Sequence, residues 1–210
     1  MELDRDLLSR QQTRRLIEDA ARAWEELKHF DQQKIDRIVA AVAKAGEDNA
    51  AVLARMACEE TGFGNVEDKT TKHLFASRRV FEAIRSTKTV GILREDRENR
   101  VWDVGVSVGV IAGIVPSTNP TSTVIYKTMI ALKAGSPIVF SPHPNAVNCT
   151  ARAVELVAQA AYAAGCPKGA VGCIPVPTMD AINELMHHEQ TRLILATGGG
   201  AMVHAAYSSG

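Results

Sequence analysis

The chain has 210 residues, 46% of them apolar, and balances 24 Lys and Arg against 24 Asp and Glu. That is enough apolar material for a core, and the even charge excludes the bulk attraction used by nucleic-acid and membrane-surface binders. The longest uncharged stretch runs from Val104 to Tyr126, and its apolar part stops at Val115, short of the roughly 20 residues a bilayer-spanning helix needs. The opening Met1-Glu2-Leu3-Asp4-Arg5-Asp6 leads into no apolar targeting run. Cys58, Cys149, Cys166 and Cys173 show no C-x-x-C spacing. A cytoplasmic protein with reduced cysteines is expected, with no nucleic-acid or membrane partner.

In chain order, Leu16, Ile17, Ala20, Trp24 and Leu27 keep the spacing of one apolar helical face. Asp31 is placed to cap a second helix that carries Ile35, Ile38, Val39 and Val42 and is closed by Gly46. A third holds Val52, Leu53, Met56 and Ala57 and stops near Thr61-Gly62. A fourth carries Leu74, Phe75, Val80, Phe81 and Ile84 on its apolar side and is over by Thr87. Thr89–Leu93 and Arg100–Val108 then read as extended segments, an exposed hairpin or arm suited to contacts between subunits.

The pattern then changes, because only 5 of the Lys and Arg and 4 of the Asp and Glu fall in residues 104–210. Short β-branched runs at Ile111–Val115, Ile138–Ser141, Val171–Ile174 and Leu193–Ala196 alternate with helical runs at Thr123–Lys133, Ala146–Ala164, Met179–His187 and Ala201–Ser208. Strands joined by helices predict an α/β fold with a Rossmann-like parallel sheet and flanking helices. The organisation expected is an N-terminal helical region with an extended arm over residues 1–103, then a Rossmann-like domain over residues 104–210.

Ligands of open parallel sheets bind beyond the carboxyl ends of the strands. That directs attention to Pro116-Ser117-Thr118-Asn119-Pro120-Thr121, Ser141-Pro142-His143-Pro144-Asn145, Pro175-Val176-Pro177-Thr178 and Thr197-Gly198-Gly199-Gly200. Glycines ahead of a helix let backbone N–H groups approach a phosphate, so Thr197–Gly200 is the candidate phosphate side, with a plain strand-to-helix turn as its alternative. No G-x-G-x-x-G follows the first strand, and Ser141 stands where a ribose-binding carboxylate is expected, which disfavours a dehydrogenase of the 2-hydroxy-acid kind. His143 is a candidate cofactor contact or a structural residue. His187 and His188 are adjacent and lack metal-ligand spacing. Gly105-Val106-Ser107-Val108-Gly109 matches G-x-S-x-G, but that motif needs a strand, a sharp turn and a helix, and β-branched residues follow Ser107. A serine hydrolase acting through Ser107 is the minor alternative.

Three stretches carry a family resemblance: Gly109 to Thr123 with its Val115-Pro116-Ser117-Thr118-Asn119-Pro120-Thr121 core, then Ile138-Val139-Phe140-Ser141-Pro142-His143-Pro144, then Leu195-Ala196-Thr197-Gly198-Gly199. With Glu59-Glu60-Thr61-Gly62-Phe63-Gly64-Asn65-Val66-Glu67-Asp68-Lys69 in the helical half, they closely resemble the CoA-acylating aldehyde dehydrogenases. The aldehyde module of bifunctional aldehyde-alcohol dehydrogenases and the acylating enzymes of bacterial microcompartments are the most similar branches. The resemblance covers nearly the whole chain.

What the resemblance implies is reversible conversion of a short aldehyde, acetaldehyde foremost, with NAD and coenzyme A to an acyl-CoA and NADH. In this family a cysteine thiolate attacks the aldehyde, hydride passes to NAD, and CoA cleaves the thioester. The resemblance implies cofactor contacts at Pro116, Ser117, Thr118, Asn119, Ser141, Pro142, His143, Thr197, Gly198 and Gly199. It also implies a catalytic side-chain amide for the developing oxyanion, assigned to Asn119. Aligned without gaps to the P-W-N-F-P-like loop of hydrolytic relatives, Thr118 takes the place of their Asn, while Ser141 and Pro144 replace their ribose-holding Lys and a nearby Glu. None of the four cysteines matches the family's nucleophile motif, which the resemblance puts beyond Tyr207-Ser208-Ser209-Gly210. An N-terminal fragment with most of an NAD fold and no catalytic thiol, inactive alone, is therefore expected, its parent a homo-oligomer of the cytoplasm or a bacterial microcompartment. A non-catalytic nucleotide-binding fragment is the other alternative.

Overall fold

The computed structural model describes residues 4–209. Helix α1 (Arg5–Leu27) buries Ile17, Ala20, Ala23 and Leu27, while Trp24 stays half-exposed. The Asp31 side chain accepts from the Lys34 N–H and starts α2 (Gln32–Asp48), whose Ile35, Ile38, Val39 and Val42 are all buried. Gly46 does not close this helix. It lies inside α2 facing a neighbouring helix, and an added Cβ would come within 2.8 Å of the Ile125 side chain. Its lack of a side chain serves close packing rather than chain reversal.

Helix α3 (Ala50–Thr61) ends at Gly62 in the left-handed region at φ +70°. Asn65 caps α4 (Val66–Leu74) by accepting from the Asp68 N–H. The expected single fourth helix is interrupted by a π turn at Phe75–Arg79 before α5 (Val80–Ile84). The extra residue shifts the phase of the face, so Ala76 and Ser77 turn inward, Phe75 is 63% exposed, and Leu74 and Phe81 are half-buried. Strands β1 (Gly91–Asp96) and β2 (Val101–Gly105) form the antiparallel hairpin. Its Ile92, Leu93, Val101, Trp102 and Val104 are exposed, and its base is pinned where the Thr89 N–H donates to Gln32 Oε1.

The remaining elements are β3 (Val110–Ile114), α6 (Pro120–Lys133), β4 (Ile138–Ser141), a 3-10 turn at Pro144–Ala146, α7 (Val147–Ala163), β5 (Val171–Cys173), α8 (Met179–His187), β6 (Thr191–Ala196) and α9 (Gly200–Tyr207). The four strands pair in parallel in the order β5-β4-β3-β6. Alternation sorts their side chains between two covered faces. Val110, Ala112 and Val139 pack with Ile17 and Ala20 of α1 and with Ala181 and Leu185 of α8. Ile111, Ile138 and Phe140 join the larger core with α2, α6 and α7. Each fully buried side chain of this size contributes about 1.5–3 kcal/mol.

Helix α1 is held on its face by polar clamps as well. Arg10 and Arg14 converge on the Glu184 carboxylate at 3.2 and 2.6 Å, and Ser9 Oγ lies 2.7 Å from Thr178 Oγ1. The core therefore runs without a break from the charge-rich segment into the charge-poor one. Among the described residues no helix is long and apolar enough to cross a membrane.

Candidate active site

The chain reverses its march across the sheet between β3 and β6: β4 and β5 extend to one side of β3, and β6 returns to the other. Ligand crevices open at such reversals. A cavity of about 740 Å³ lies there, at the carboxyl ends of the strands. Pro116, Ser117, Thr118 and Asn119 line it from the turn after β3, His143 from the turn after β4, and Thr197, Gly198 and Gly199 from the turn after β6. Phe75, Ala76 and Val80, brought round by the π turn and α5, form the apolar wall opposite. Tyr126 of α6 reaches the rim, its hydroxyl 3.4 Å from Thr197 Oγ1.

Eight of the ten residues singled out in the sequence thus meet in one cavity. Ser141 and Pro142 do not line it; both are buried, with the Ser141 carbonyl accepting from the Val115 N–H. The turn after β5 is absent from the lining as well, because β5 lies at the far edge of the sheet. Its Thr178 instead caps α8 and bonds α1. His143 has two attachments, since it lines the cavity while its Nδ1 accepts from the Asn145 N–H at 3.1 Å.

Asn119 precedes α6 in a non-helical conformation, φ −144° and ψ 60°, and its side chain makes no capping hydrogen bond. Its carboxamide is therefore free to donate into the cavity. Gly199 and Gly200 open α9, and a Cβ built on either meets no protein atom within 4 Å. First-turn N–H groups of a helix have no intrahelical partner and carry partial positive charge. With open space above these glycines, an apolar wall, and no carboxylate among the described lining residues, the cavity fits an anionic dinucleotide.

Three buried cationic or imidazole groups beneath the rim were not singled out from the sequence. Lys127, 2% exposed, donates to the Ile114 carbonyl at 2.8 Å and the Leu195 carbonyl at 2.6 Å, stitching β3 to β6 under the cavity. Burial pushes it down to about 8. Lys69 donates to the Thr118 carbonyl at 2.6 Å, and burial lowers it too. His73 lies between the Lys69 carbonyl, 2.6 Å from Nδ1, and Thr121 Oγ1, 2.6 Å from Nε2. A carbonyl only accepts, so Nδ1 carries the proton and Nε2 accepts from Thr121; burial depresses the ring's basicity and keeps it neutral. A signal existed for Lys127, which with Lys133 is one of only two charges between Val104 and Ala151, and for Lys69 and His73, one turn apart on one helix.

The expected motif context for Ser107 is missing. The chain runs on from Ser107 into β3 with no helix, and Ser107 Oγ accepts from the Trp24 indole N–H at 2.7 Å, so the serine-hydrolase alternative fails. None of the four cysteines lines the cavity among the described residues. Burial pushes the thiols of Cys149, Cys166 and Cys173 up to about 12, the opposite of what a nucleophile needs.

A Rossmann-like parallel sheet with its crevice between an Asn-bearing turn and a Gly-rich helix start defines an α/β module of the kind found in acylating aldehyde dehydrogenase structures. Residues 5–209 match the model of the aldehyde dehydrogenase family, and the chain belongs to that family. It is 47% identical over 195 residues to the bifunctional aldehyde-alcohol dehydrogenase AdhE of Escherichia coli, covering 93% of this chain and 22% of that protein. The crystal structure of an acetylating aldehyde dehydrogenase from Geobacillus thermoglucosidasius superimposes with a TM-score of 0.98 at 56% identity, over 100% of this chain and 46% of that one. A propionaldehyde dehydrogenase from Rhodopseudomonas palustris, solved with bound CoA and an acylated cysteine, superimposes with a TM-score of 0.78 at 32% identity over 94% of this chain and 45% of that one. The chain thus spans about half the length of these solved structures and under a quarter of the AdhE protein.

Proposed function

We propose that the protein to which this chain belongs is an NAD-dependent, CoA-acylating aldehyde dehydrogenase that acts reversibly on a short aldehyde, acetaldehyde foremost. The observation that carries this reading is the shared cavity of the free Asn119 carboxamide and the Gly198-Gly199 turn, where a Cβ on Gly199 would meet nothing within 4 Å. NAD supplies the hydride acceptor when bound. Thr197, Gly198 and Gly199 would hold its pyrophosphate through backbone N–H groups, with Pro116, Ser117, Thr118 and His143 lining the nucleotide's bed and the buried Ser141 and Pro142 making no direct contact. The Asn119 amide would donate to the aldehyde oxygen as it gains negative charge, and the apolar wall of Phe75 and Val80 would exclude water from that charge. Coenzyme A is the acyl acceptor, as the CoA-bound relative supports.

The same reading assigns the catalytic thiol to sequence outside these 210 residues, residues 104–210 to nucleotide binding, and the hairpin, with Trp102 63% exposed, to assembly of a homo-oligomer. It places the enzyme in the cytoplasm or a bacterial microcompartment. The test is NADH formation from acetaldehyde by the full-length protein with and without CoA. A rate that rises on adding CoA is expected, and a rate indifferent to CoA rejects the acylating assignment.

A further inference from the structure

We propose that Lys69 and His73 are positioning residues that aim Asn119 from both sides, an inference that rests on the reading of Asn119 as the amide donor. The two residues stand one turn apart on α4 and so face the same way. Lys69 Nζ donates to the carbonyl of Thr118, the residue before Asn119, and His73 Nε2 accepts from the hydroxyl of Thr121, two residues after it. Asn119 has no capping bond of its own, and the turn is bounded by Pro116 and Pro120, neither of which has an N–H to fix it. The Thr118 carbonyl belongs to the peptide plane that carries the Asn119 nitrogen. Holding that carbonyl therefore fixes the backbone torsion from which the carboxamide projects.

Both clamping side chains are buried, and their helix is itself held in register. Lys69 is 5% exposed and His73 2% exposed, so each lost bond would leave a buried group without a partner. The Asn65 cap and the left-handed Gly64, φ +70°, deliver α4 at its start, with Lys69 Cε 3.6 Å from the position a Gly64 Cβ would take. At the far end Ser77 Oγ donates to the His73 carbonyl inside the π turn that turns Phe75 into the cavity wall. One helix thereby sets both the amide and the wall facing it.

The experiment is steady-state kinetics with acetaldehyde, NAD and CoA on the full-length protein carrying Asn119→Ala, Lys69→Met or Thr121→Val, and on each clamp variant combined with Asn119→Ala. Asn119→Ala is expected to lower kcat about 100-fold. Lys69→Met and Thr121→Val are each expected to lower kcat about tenfold with the KM for NAD unchanged, and to lower it no further once Asn119 is Ala. Lys69→Arg should recover part of the loss. Thr121→Val removes only a hydroxyl from a near-isosteric side chain, and carries the test if Lys69→Met does not fold. A clamp variant that costs the same factor in the Asn119→Ala background overturns the positioning role and leaves the amide reading standing. An Asn119→Ala enzyme with undiminished kcat removes the amide reading and this inference with it.

Discussion

Lys127 donates to the carbonyl of Leu195 at 2.6 Å, joining the centre of α6 to the last turn of β6 directly beneath the cavity. A second bond to the Ile114 carbonyl at 2.8 Å makes the same ammonium a staple across the sheet reversal. Removing it takes a charged donor from each carbonyl and leaves that of Ile114 only the Thr197 N–H at 3.3 Å, so Lys127→Met should lose about 2 kcal/mol near neutral pH.

The pH dependence of that loss has a definite sign. Burial lowers Lys127 from 10.5 to about 8 in the folded protein. Between those values the unfolded chain holds a proton that the folded one has shed, so stability rises with pH across the window. The stability difference between wild type and Lys127→Met, from denaturant titrations at successive pH values, should widen from pH 8 upward. A difference that stays flat would rule out the depressed lysine.

Glu60 of α3 caps α7 from outside, accepting from the Asn148 N–H at 2.9 Å, the Asn148 side-chain amide at 3.0 Å and the Cys149 N–H at 2.6 Å. Burial works to raise its pKa, but the bonds from Cys149 and Asn148 outweigh it and hold it below the ordinary value. Its stabilisation is therefore present above about pH 4.5 and fades as pH falls through the lowered folded value. Glu60→Gln should cost about 1–2 kcal/mol at neutral pH, with the gap to wild type closing on acidification.

Gly46→Ala sets two effects in opposition. The helix-propensity gain is about 1 kcal/mol, whereas overpacking a filled core costs about 1–3 kcal/mol. The added carbon would stand 2.8 Å from Ile125 Cγ2 and 3.2 Å from Ser77 Cβ, and Ile125 is fully buried with no room to retreat. Overpacking should win, giving a lower melting temperature; a higher one would show that α2 and α6 can part.

Gly199→Val separates ligand binding from folding. The new side chain would point into open space at an ordinary φ of −67°, so the melting temperature should hold. If a pyrophosphate lies over this turn, the Kd for NAD by calorimetry should rise at least about tenfold through loss of close backbone approach. Unchanged affinity would place the phosphates elsewhere.

The alternation of β-branched runs with amphipathic ones sufficed to read all four parallel strands and their helices, since both periodicities are local properties of the chain. The same holds for Asp31 and Gly62, whose capping roles depend on neighbours within one turn. Local pattern misread Gly46 and Phe75, because close helix packing and a π-turn phase shift arise from partners far along the chain. Which three of four strand-end turns would meet followed from the pairing order, β6 inserting beside β3 rather than β5. Lys69, Lys127 and the Nε2 of His73 likewise acquired their partners through contacts 13 to 68 residues away, where burial turns a solvated side chain into a fixed support. Residue types along the chain named the family and most of the rim; three-dimensional packing alone chose what holds that rim in place.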